Sequence, residues 1–188
     1  HTCNMDVTGS IPVCGSNTDI MYAGGLMSQA QEVLAIAKKF VDEKYKEGTN
    51  NDTIFGKWYG LNNQPWCAMF VSYCFNQAGY GALVAASGKK GFASCEAGFK
   101  WFAKKSRVVP VGQAQPGDIV FFNFDSDPTT TEHVGIVYVP QHDKKQLVTF
   151  EGNTAADGSG SQSNGDGAYK KTRKYEKIMA VVRPEWTD

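Results

Sequence analysis

The sequence predicts an α+β fold, with N-terminal helices packed on an antiparallel β-sheet. The chain has 188 residues, 41% of them hydrophobic, which is enough to form one core. Apolar residues recur at helical spacing in three stretches before residue 106, and from residue 118 they follow the two-residue period of strands. Helices followed by strands, with no internal repeat, are typical of an α+β domain.

Three helices are predicted in the first half of the chain. Ser28 and Gln31 form a capping-box pattern at the start of the first helix, and Pro65 suits the start of the second. Lysines near the end of the third complement the helix dipole. The predicted helices cover residues 28–48, 66–79 and 94–105. The Asn- and Gly-rich segment between the first two is predicted to be a loop.

Strands are predicted after Pro116 and Gly117. They cover residues 118–124, 134–139, 146–150 and 179–183, and a further strand at 169–175 carries lysines that suit a sheet edge. Residues 155–167, rich in Gly and Ser, are predicted to form a long loop. We expect the strands to form an antiparallel meander.

Charge and hydropathy argue against several classes of partner. Nineteen basic residues balance nineteen acidic residues, so nothing in the net charge favours a nucleic acid or an anionic membrane. No stretch approaches the roughly 18 to 20 apolar residues of a membrane span. We expect residues 1–27 to be a linker or irregular segment, cut from a longer protein, and residues 28–188 to form the main domain.

The five cysteines leave at least one thiol unpaired because their number is odd. Cys3 and Cys14 lie in a polar segment where a small-loop disulfide is plausible in an oxidising compartment. Cys74 and Cys95 lie among apolar residues, and they fit either a disulfide or two buried thiols. Cys67 is the remaining cysteine.

Cys67 is the strongest candidate for a functional residue. It follows Trp66 in the first turn of a predicted helix, where unpaired amides and the helix dipole favour a thiolate. A thiolate is a nucleophile, so Cys67 is a candidate catalytic residue. The alternative is a buried structural cysteine, and a nearby base would decide between the two.

His133 is the candidate base. The other histidines, His1 and His142, lie at the start of the chain and in a polar turn, and both are expected to be exposed. His133 opens a predicted strand, where a satisfied polar residue is the simpler interpretation. Its predicted neighbours across the hairpin favour a functional role.

The hairpin that follows predicts which residues lie near His133. Keeping the apolar residues of both strands on one face sets Val139 opposite Leu147. His133 then faces Asn153 directly, with Glu151 diagonal to it, and both are within reach of the imidazole. Such a group can orient the ring in an arrangement of nucleophile, base and orienting group. The alternative is a polar cluster that satisfies its own hydrogen bonds at a strand end.

No metal or cofactor is predicted. The cysteines lack the two-residue spacing of a zinc site, and the run at residues 50–52 is too short for a calcium loop. The sequence also lacks a Gly-rich phosphate loop and a Gly-x-Ser-x-Gly nucleophile motif.

Four segments of the sequence resemble one known family. They are Gln64–Ser72, Gln115–Phe122, His133–Val137 and Glu151–Asn153, in the family's order. Together they resemble the CHAP domain of cysteine, histidine-dependent amidohydrolases and peptidases, bacterial and phage enzymes that cut peptidoglycan. The resemblance implies a papain-like fold and a catalytic domain over residues 28–188.

The resemblance also implies a role for each candidate residue. Cys67 would be the nucleophile, His133 the base, Glu151 the group that orients it, and Asn153 a further polar support. The Asp-rich calcium loop that some members carry before the cysteine is absent here.

Four further residues are candidates for binding the substrate. Gln64 is expected either to add a donor near the reacting carbonyl or to be an ordinary loop residue. The rings of Trp58, Tyr59 and Trp66 are expected either to wall a groove for sugar or peptide or to belong to the core.

The sequence does not choose the bond that is cut. An N-acetylmuramoyl-L-alanine amidase and an endopeptidase of the stem peptide or cross-bridge use the same site. A wall-binding module without catalysis and a cysteine peptidase or toxin acting on protein remain alternatives. For a wall-degrading enzyme we expect peptidoglycan as partner, no nucleic acid, no membrane insertion, an extracellular or cell-wall location, and a tether to another wall-degrading or wall-binding module.

Overall fold

A computed structural model describes residues 25–125 and 127–188. The described residues form helices and a six-stranded antiparallel sheet, so the predicted α+β class is confirmed. The helices are Gln29–Asp42 (α1), Ile54–Tyr59 (α2), Cys67–Gln77 (α3) and Cys95–Lys104 (α4). The strands are Val108–Val109 (β1), Ile119–Phe122 (β2), His133–Gln141 (β3), Gln146–Thr154 (β4), Gly167–Lys174 (β5) and Ile178–Val182 (β6). Cys3, Cys14 and the possible disulfide between them lie outside the described residues.

The helix starts follow from local capping. The capping box predicted for α1 is present, because the Gln31 amide donates to Ser28 Oγ at 3.2 Å and the Ser28 amide donates to Gln31 Oε1 at 2.7 Å. The short helix α2 lies in the segment that the sequence predicts to be a loop. The Oγ1 atom of Thr53 accepts a hydrogen bond from the Gly56 amide at 2.9 Å and starts this helix, which places Phe55 in the core.

The sheet is more complex than the predicted meander. Its strand order is β1-β6-β2-β3-β4-β5. The strands β2 to β5 are neighbours in chain order, as predicted, whereas β6 returns to pair with the outer side of β2. The two-residue strand β1 was not predicted, and it pairs with β6 at the sheet edge. Within the described chain, no helix is both long and apolar enough to cross a membrane.

The β3–β4 hairpin has the predicted register on one side of a bulge only. Ile136 pairs with Phe150, which is the register that directs His133 toward Asn153. Between Val137 and Val139 the register shifts by one residue, so Val139 pairs with Val148 instead of Leu147. A bulge adds one residue to β3, and hydrophobic periodicity does not predict such an insertion. The predicted register is therefore confirmed at Ile136 and Val137 and wrong at the turn.

The sheet is covered on both faces. On one face the helices and the sheet share the main core, which includes Phe70, Phe121, Ile136 and Phe150. On the other face a smaller cluster forms around residues of β2, β3, β4 and β6. The members of this cluster are Ala114, Val120, Phe122, Val137, Leu147 and Val181. Side chains that point away from the helices can therefore also be buried, and this applies to the polar residues of β4.

Strand β5 is an edge strand with two kinds of basic residue. Lys170 and Lys174 are exposed, as expected for an edge. Lys171 and Arg173 are buried, which corrects the prediction that the lysines of this strand lie on an open edge. The ammonium of Lys171 donates to the carbonyl of Ala155 at 2.7 Å, because the loop after β4 covers this end of the strand.

The two ends of the described fold contact each other. Gln29 Nε2 donates to Thr187 Oγ1 at 2.8 Å, and the Thr187 amide donates to Gln29 Oε1 at 2.9 Å. The first helix and the last residues of the chain therefore leave the fold at the same corner.

Candidate active site

Cys67 is the first residue of α3. The preceding residue, Trp66, does not cap the helix with its side chain, so the first amides of α3 remain free to act as donors. The side chain of Cys67 is only 4% exposed. A hydrogen bond from Cys95 holds the pKa of the Cys67 thiol well below its usual value against the opposing effect of burial, and His133 and the Ala68 amide act in the same direction. The thiol is therefore biased toward the thiolate.

His133 is the first residue of β3 and is fully buried. Its ring lies near the rings of Phe122 and Phe124, with centroids 5.7 and 5.8 Å away. Its Nε2 atom lies 2.8 Å from Glu151 Oε2. Its Nδ1 atom makes no hydrogen bond of standard geometry with a described group, and it is the nitrogen left to interact with the sulfur of Cys67.

The charge of His133 depends on its two partners. Burial lowers the pKa of the imidazole, but the interactions with Cys67 and Glu151 outweigh burial and raise the pKa to about 9. Because the pKa of Cys67 moves down and that of His133 moves up, the pair is biased toward a thiolate and an imidazolium. A thiol beside an imidazole with this bias has the arrangement that activates a cysteine nucleophile.

Glu151 lies on β4 and has no exposed side chain. Burial alone would raise its pKa, but the hydrogen bonds from Arg173 and His133 lower it to about 2. Thr149 Oγ1 also donates to Glu151 Oε1 at 2.6 Å. The neighbouring strand leaves room for the side chain at Gly135, where a Cβ atom would lie 2.7 Å from Glu151 Cγ. The carboxylate is therefore ionised and fixed in position.

Gly152 brings β4 close to helix α3. A Cβ atom at this position would lie 2.7 Å from both Phe70 Cβ and a ring carbon of Trp66. Only glycine allows the strand to pack this closely against the start of α3. This packing holds the segment of β4 that carries Glu151 against the start of α3, where Cys67 lies.

Arg173 is a site residue that the sequence analysis missed. Its Nε and Nη2 atoms donate to the two oxygens of Glu151 at 2.9 and 2.5 Å, and its Nη1 donates to Gln162 Oε1 at 3.0 Å. The guanidinium carbon lies 4.8 Å from the ring centre of Phe124. The antiparallel pairing of β4 with β5 places the odd-numbered residues of both strands on one face, so Arg173 lies on the same face as Glu151. A prediction of this pairing would have identified Arg173 from the sequence.

Asn153 has a different partner from the one predicted. Its backbone is left-handed, with φ of 56°, within the irregularity between Glu151 and Thr154. Its Nδ2 atom donates to the carbonyl of Ser163 at 3.5 Å. The side chain therefore contacts the loop after β4, whereas the imidazole of His133 is held by Glu151.

The predicted substrate-binding residues lie in different environments. Trp66 is fully buried, stacks on Phe55, and donates from Nε1 to Glu47 Oε2 at 2.6 Å, so it belongs to the core, the second of its two predicted alternatives. Trp58 and Tyr59 are half-buried on α2, and Gln64 is exposed in the loop just before Cys67. These three remain candidates for contact with a substrate.

Cys95 is the second residue that the sequence analysis did not place in the site. It is the first residue of α4, and its Sγ lies 3.7 Å from Cys67 Sγ. Its hydrogen bond to Cys67 and its burial raise the pKa of the Cys95 thiol well above its usual value. The cysteines of the described residues are all free thiols, so Cys74 and Cys95 are two buried thiols, not a disulfide.

The family model of the CHAP domain matches residues 58–153, about half of the chain. The chain belongs to the CHAP domain family. CHAP domains are generally hydrolases that act on peptidoglycan, and this membership indicates an amidase- or peptidase-type enzyme that acts on the cell wall. No curated protein matches the chain. Cys67, His133 and Glu151 lie within the matched CHAP segment, whereas Arg173 lies beyond it.

The described part of this CHAP domain shows no group of three or more His, Cys, Asp and Glu side chains arranged to hold a metal ion. The polar groups of the site are instead joined to one another. They form a buried series of contacts from the thiol of Cys67 through His133 and Glu151 to Arg173.

Proposed function

We propose that this CHAP domain hydrolyses an amide bond of peptidoglycan through an acyl-enzyme formed on Cys67. The observation that carries the proposal is the buried series of Cys67, His133, Glu151 and Arg173, in which every charge has a partner. An activated thiol, a base and a carboxylate that orients the base are the groups needed for nucleophilic acyl transfer.

The reaction begins with attack of the Cys67 thiolate on the carbonyl carbon of the substrate. The uncapped backbone amides at the start of α3 are free to bind the developing oxyanion, and the exposed side chain of Gln64, three residues before Cys67, can add a donor. His133, protonated in the resting pair, gives its proton to the leaving amine. It then acts as the base that removes a proton from water, and the resulting hydroxide releases the acyl group.

Glu151 and Arg173 act through His133. The bond from Nε2 to Glu151 leaves Nδ1 directed to the thiol, and the negative carboxylate stabilises the imidazolium. Arg173 binds both oxygens of Glu151, so the carboxylate cannot rotate away from the ring. Arg173 is therefore a positioning residue. Asn153, by its contact with Ser163, supports the loop that covers these groups.

The substrate is a wall polymer with sugar and peptide parts. Trp58 and Tyr59 present half-buried aromatic faces on α2, which suit either part of peptidoglycan. The enzyme acts outside the cell or at the wall, and residues 1–27 connect it to another wall-degrading or wall-binding module. The bond cleaved is either the N-acetylmuramoyl-L-alanine amide or a peptide bond of the stem or cross-bridge.

Mass spectrometry of soluble fragments from purified peptidoglycan tests the proposal and identifies the bond. New N-termini at alanine indicate an amidase, and new ends within the peptide indicate an endopeptidase. The Cys67→Ala variant should release no fragments, whereas Cys74→Ala, which removes a thiol from the same helix, should release the same fragments as the parent. Release of fragments by Cys67→Ala, or cleavage of a denatured protein substrate but not of peptidoglycan, contradicts the proposal.

A further inference from the structure

The nucleophile of the proposed mechanism has a second thiol beside it. Cys67 and Cys95 are each the first residue of a helix, and their sulfur atoms are 3.7 Å apart. Both side chains are largely buried, with exposed fractions of 4% and 8%. The acyl-transfer steps described above use one thiol only. The position of the other therefore needs a separate explanation.

We propose that Cys95 is a resolving thiol, which forms a reversible disulfide with Cys67 after a hydroperoxide has oxidised Cys67. In the first step the Cys67 thiolate attacks the distal peroxide oxygen, the O–O bond breaks, and the leaving alkoxide or hydroxide takes a proton. Cys67 is oxidised by two electrons to a sulfenic acid. In the second step the sulfur of Cys95 attacks this sulfenic sulfur, an S–S bond forms, and water leaves with the proton of Cys95.

The geometry allows the second step with a small movement. A disulfide bond is about 2.0 Å long, so the two sulfur atoms must approach each other by about 1.7 Å. Each cysteine is the first residue of its helix, and rotation about its Cα–Cβ bond moves the sulfur atom without breaking a backbone hydrogen bond. The pair can therefore close without a rearrangement of the sheet.

The chemistry of the site favours both steps. Peroxides react with thiolates, and Cys67 is the thiol of the described chain whose pKa is held low by its neighbours. Without a nearby thiol, a sulfenic acid is oxidised further to a sulfinic acid, which a dithiol does not reduce. A disulfide with Cys95 prevents this loss, because a dithiol reductant returns both sulfurs to the thiol state.

Cys74 provides the internal comparison. It lies seven residues after Cys67 on α3, it is fully buried, and its pKa is raised by burial. Its thiol therefore reacts poorly with peroxides, and we do not expect it in the disulfide. The loss of hydrolysis on oxidation depends on the proposed role of Cys67, whereas formation of the disulfide does not.

Peptide mapping of the oxidised protein tests the proposal independently of activity. Trypsin leaves Cys67 and Cys74 together in the peptide 58–89 and Cys95 in the peptide 91–100. The Cys74→Ala variant removes this ambiguity, so a cross-linked pair of these peptides then identifies the Cys67–Cys95 bond. Chymotrypsin, which cuts after Phe70 and Tyr73, separates the two cysteines in the parent protein. Peroxide treatment should produce the cross-linked pair, and dithiothreitol should remove it. Its absence overturns the proposal.

Recovery of hydrolysis after oxidation tests whether Cys95 makes the oxidation of Cys67 reversible. Peptidoglycan hydrolysis by the parent should fall with peroxide and return with dithiothreitol. Each variant is compared with its own untreated activity. Cys95→Ala and Cys95→Ser should be inactivated in a way that dithiothreitol does not reverse, and their peptide 58–89 should gain two oxygen atoms. Equal recovery in the parent and both variants overturns the resolving role. A cross-link that forms with no loss of hydrolysis keeps the resolving role and overturns the assignment of Cys67 as nucleophile.

Discussion

Cys67 and Cys74 lie on the same helix and are both buried, yet the pKa of one thiol is lowered and that of the other is raised. The first lies at the start of α3 beside Cys95, His133 and the Ala68 amide. The second lies two turns later in the apolar core, where burial dominates. Burial alone therefore does not make a thiol inert or reactive. What decides is whether the position supplies donors and a positive charge to the sulfur.

The two faces of the sheet also differ in the kind of side chain that they bury. The face toward the helices is filled with apolar side chains. The opposite face, near the loop after β4, buries the charges of Glu151 and Arg173. These charges are tolerated because each has a partner of opposite sign within hydrogen-bond distance. The variants below test whether these partners, and not burial, control the chemistry.

Removal of each thiol of α3 should give the largest contrast. Cys67→Ala should lower peptidoglycan hydrolysis by at least about 10³-fold, since the nucleophile is lost. Cys74→Ala should keep the parent rate and lower the free energy of unfolding by about 1–3 kcal/mol, because it leaves a cavity in the core. Turbidity clearing and chemical denaturation measure the two effects. An active Cys67→Ala variant would show that the nucleophile is misassigned.

Removal of the charge of Glu151 should have the next largest effect. Glu151→Gln keeps the shape of the side chain but removes the charge that stabilises the imidazolium, so kcat should fall by about 10² to 10⁴. Asn153→Ala should have a smaller effect on the rate, because the hydrogen bond of Asn153 goes to the loop, whereas Glu151 binds the ring. Steady-state kinetics with both variants measures the difference. A reversed order would make Asn153 the group that orients His133.

Replacement of Arg173 by lysine should have a moderate effect. Arg173→Lys keeps the positive charge but cannot bind both carboxylate oxygens, so we expect kcat to fall by about tenfold. It should also raise the pKa of Glu151, which is held at about 2 in the parent after the opposing effect of burial.

The consequence of this shift appears at low pH. In the parent, the ionised Glu151 contributes stability that is present above its unfolded pKa of about 4.5 and is lost as pH falls through about 2. In Arg173→Lys this loss should begin at higher pH, as seen in acid unfolding followed by circular dichroism. An unchanged acid transition would mean that Arg173 does not control the charge of Glu151.

The pH dependence of alkylation should differ between Cys67 and Cys74. Iodoacetamide should modify Cys67 well below the usual thiol pKa, while Cys74 remains unmodified in the folded protein. Hydrolysis should decline as pH rises through about 9, because His133 then loses the proton that it gives to the leaving amine. Peptide-resolved alkylation and a pH–rate profile measure both. Alkylation of Cys67 only at alkaline pH would contradict the ion pair.

The smallest effect is expected from the partner thiol. Cys95→Ala removes the hydrogen bond that does most to lower the pKa of Cys67, so the alkylation profile should move to higher pH. Cys95→Ser keeps a donor and should move it less. A profile that is identical in the parent and both variants would show that His133 and the helix start are sufficient to form the thiolate.

Sequence patterns predicted the parts of the site that depend on local structure. The position of Cys67 at a helix start, of His133 at a strand start and of Glu151 across a hairpin all follow from the periodicity of nearby residues. Roles for these residues remain predictions, while their proximity is a property of the structure.

The features of the site that the sequence did not predict depend on contacts between segments that are distant in the chain. Arg173 reaches Glu151 because β5 pairs with β4 after a loop of twelve residues, 155–166, whose path the sequence does not reveal. Cys95 reaches Cys67 because α4 packs with its start near that of α3. The bulge in β3 and the left-handed Asn153 change the backbone at single residues, and hydrophobic periodicity does not detect such changes. Helix α2 was missed because it is only six residues long.

The contact between Gln29 and Thr187 also concerns how the domain can be connected. Since the two ends of the fold meet at one corner, a short peptide can join them without crossing the surface. The chain order can therefore be permuted, with new ends placed in the exposed turn at residues 142–145, on the far side of the β3 bulge from His133. In a fusion protein, neighbours attached before α1 and after β6 would both be anchored at that single corner.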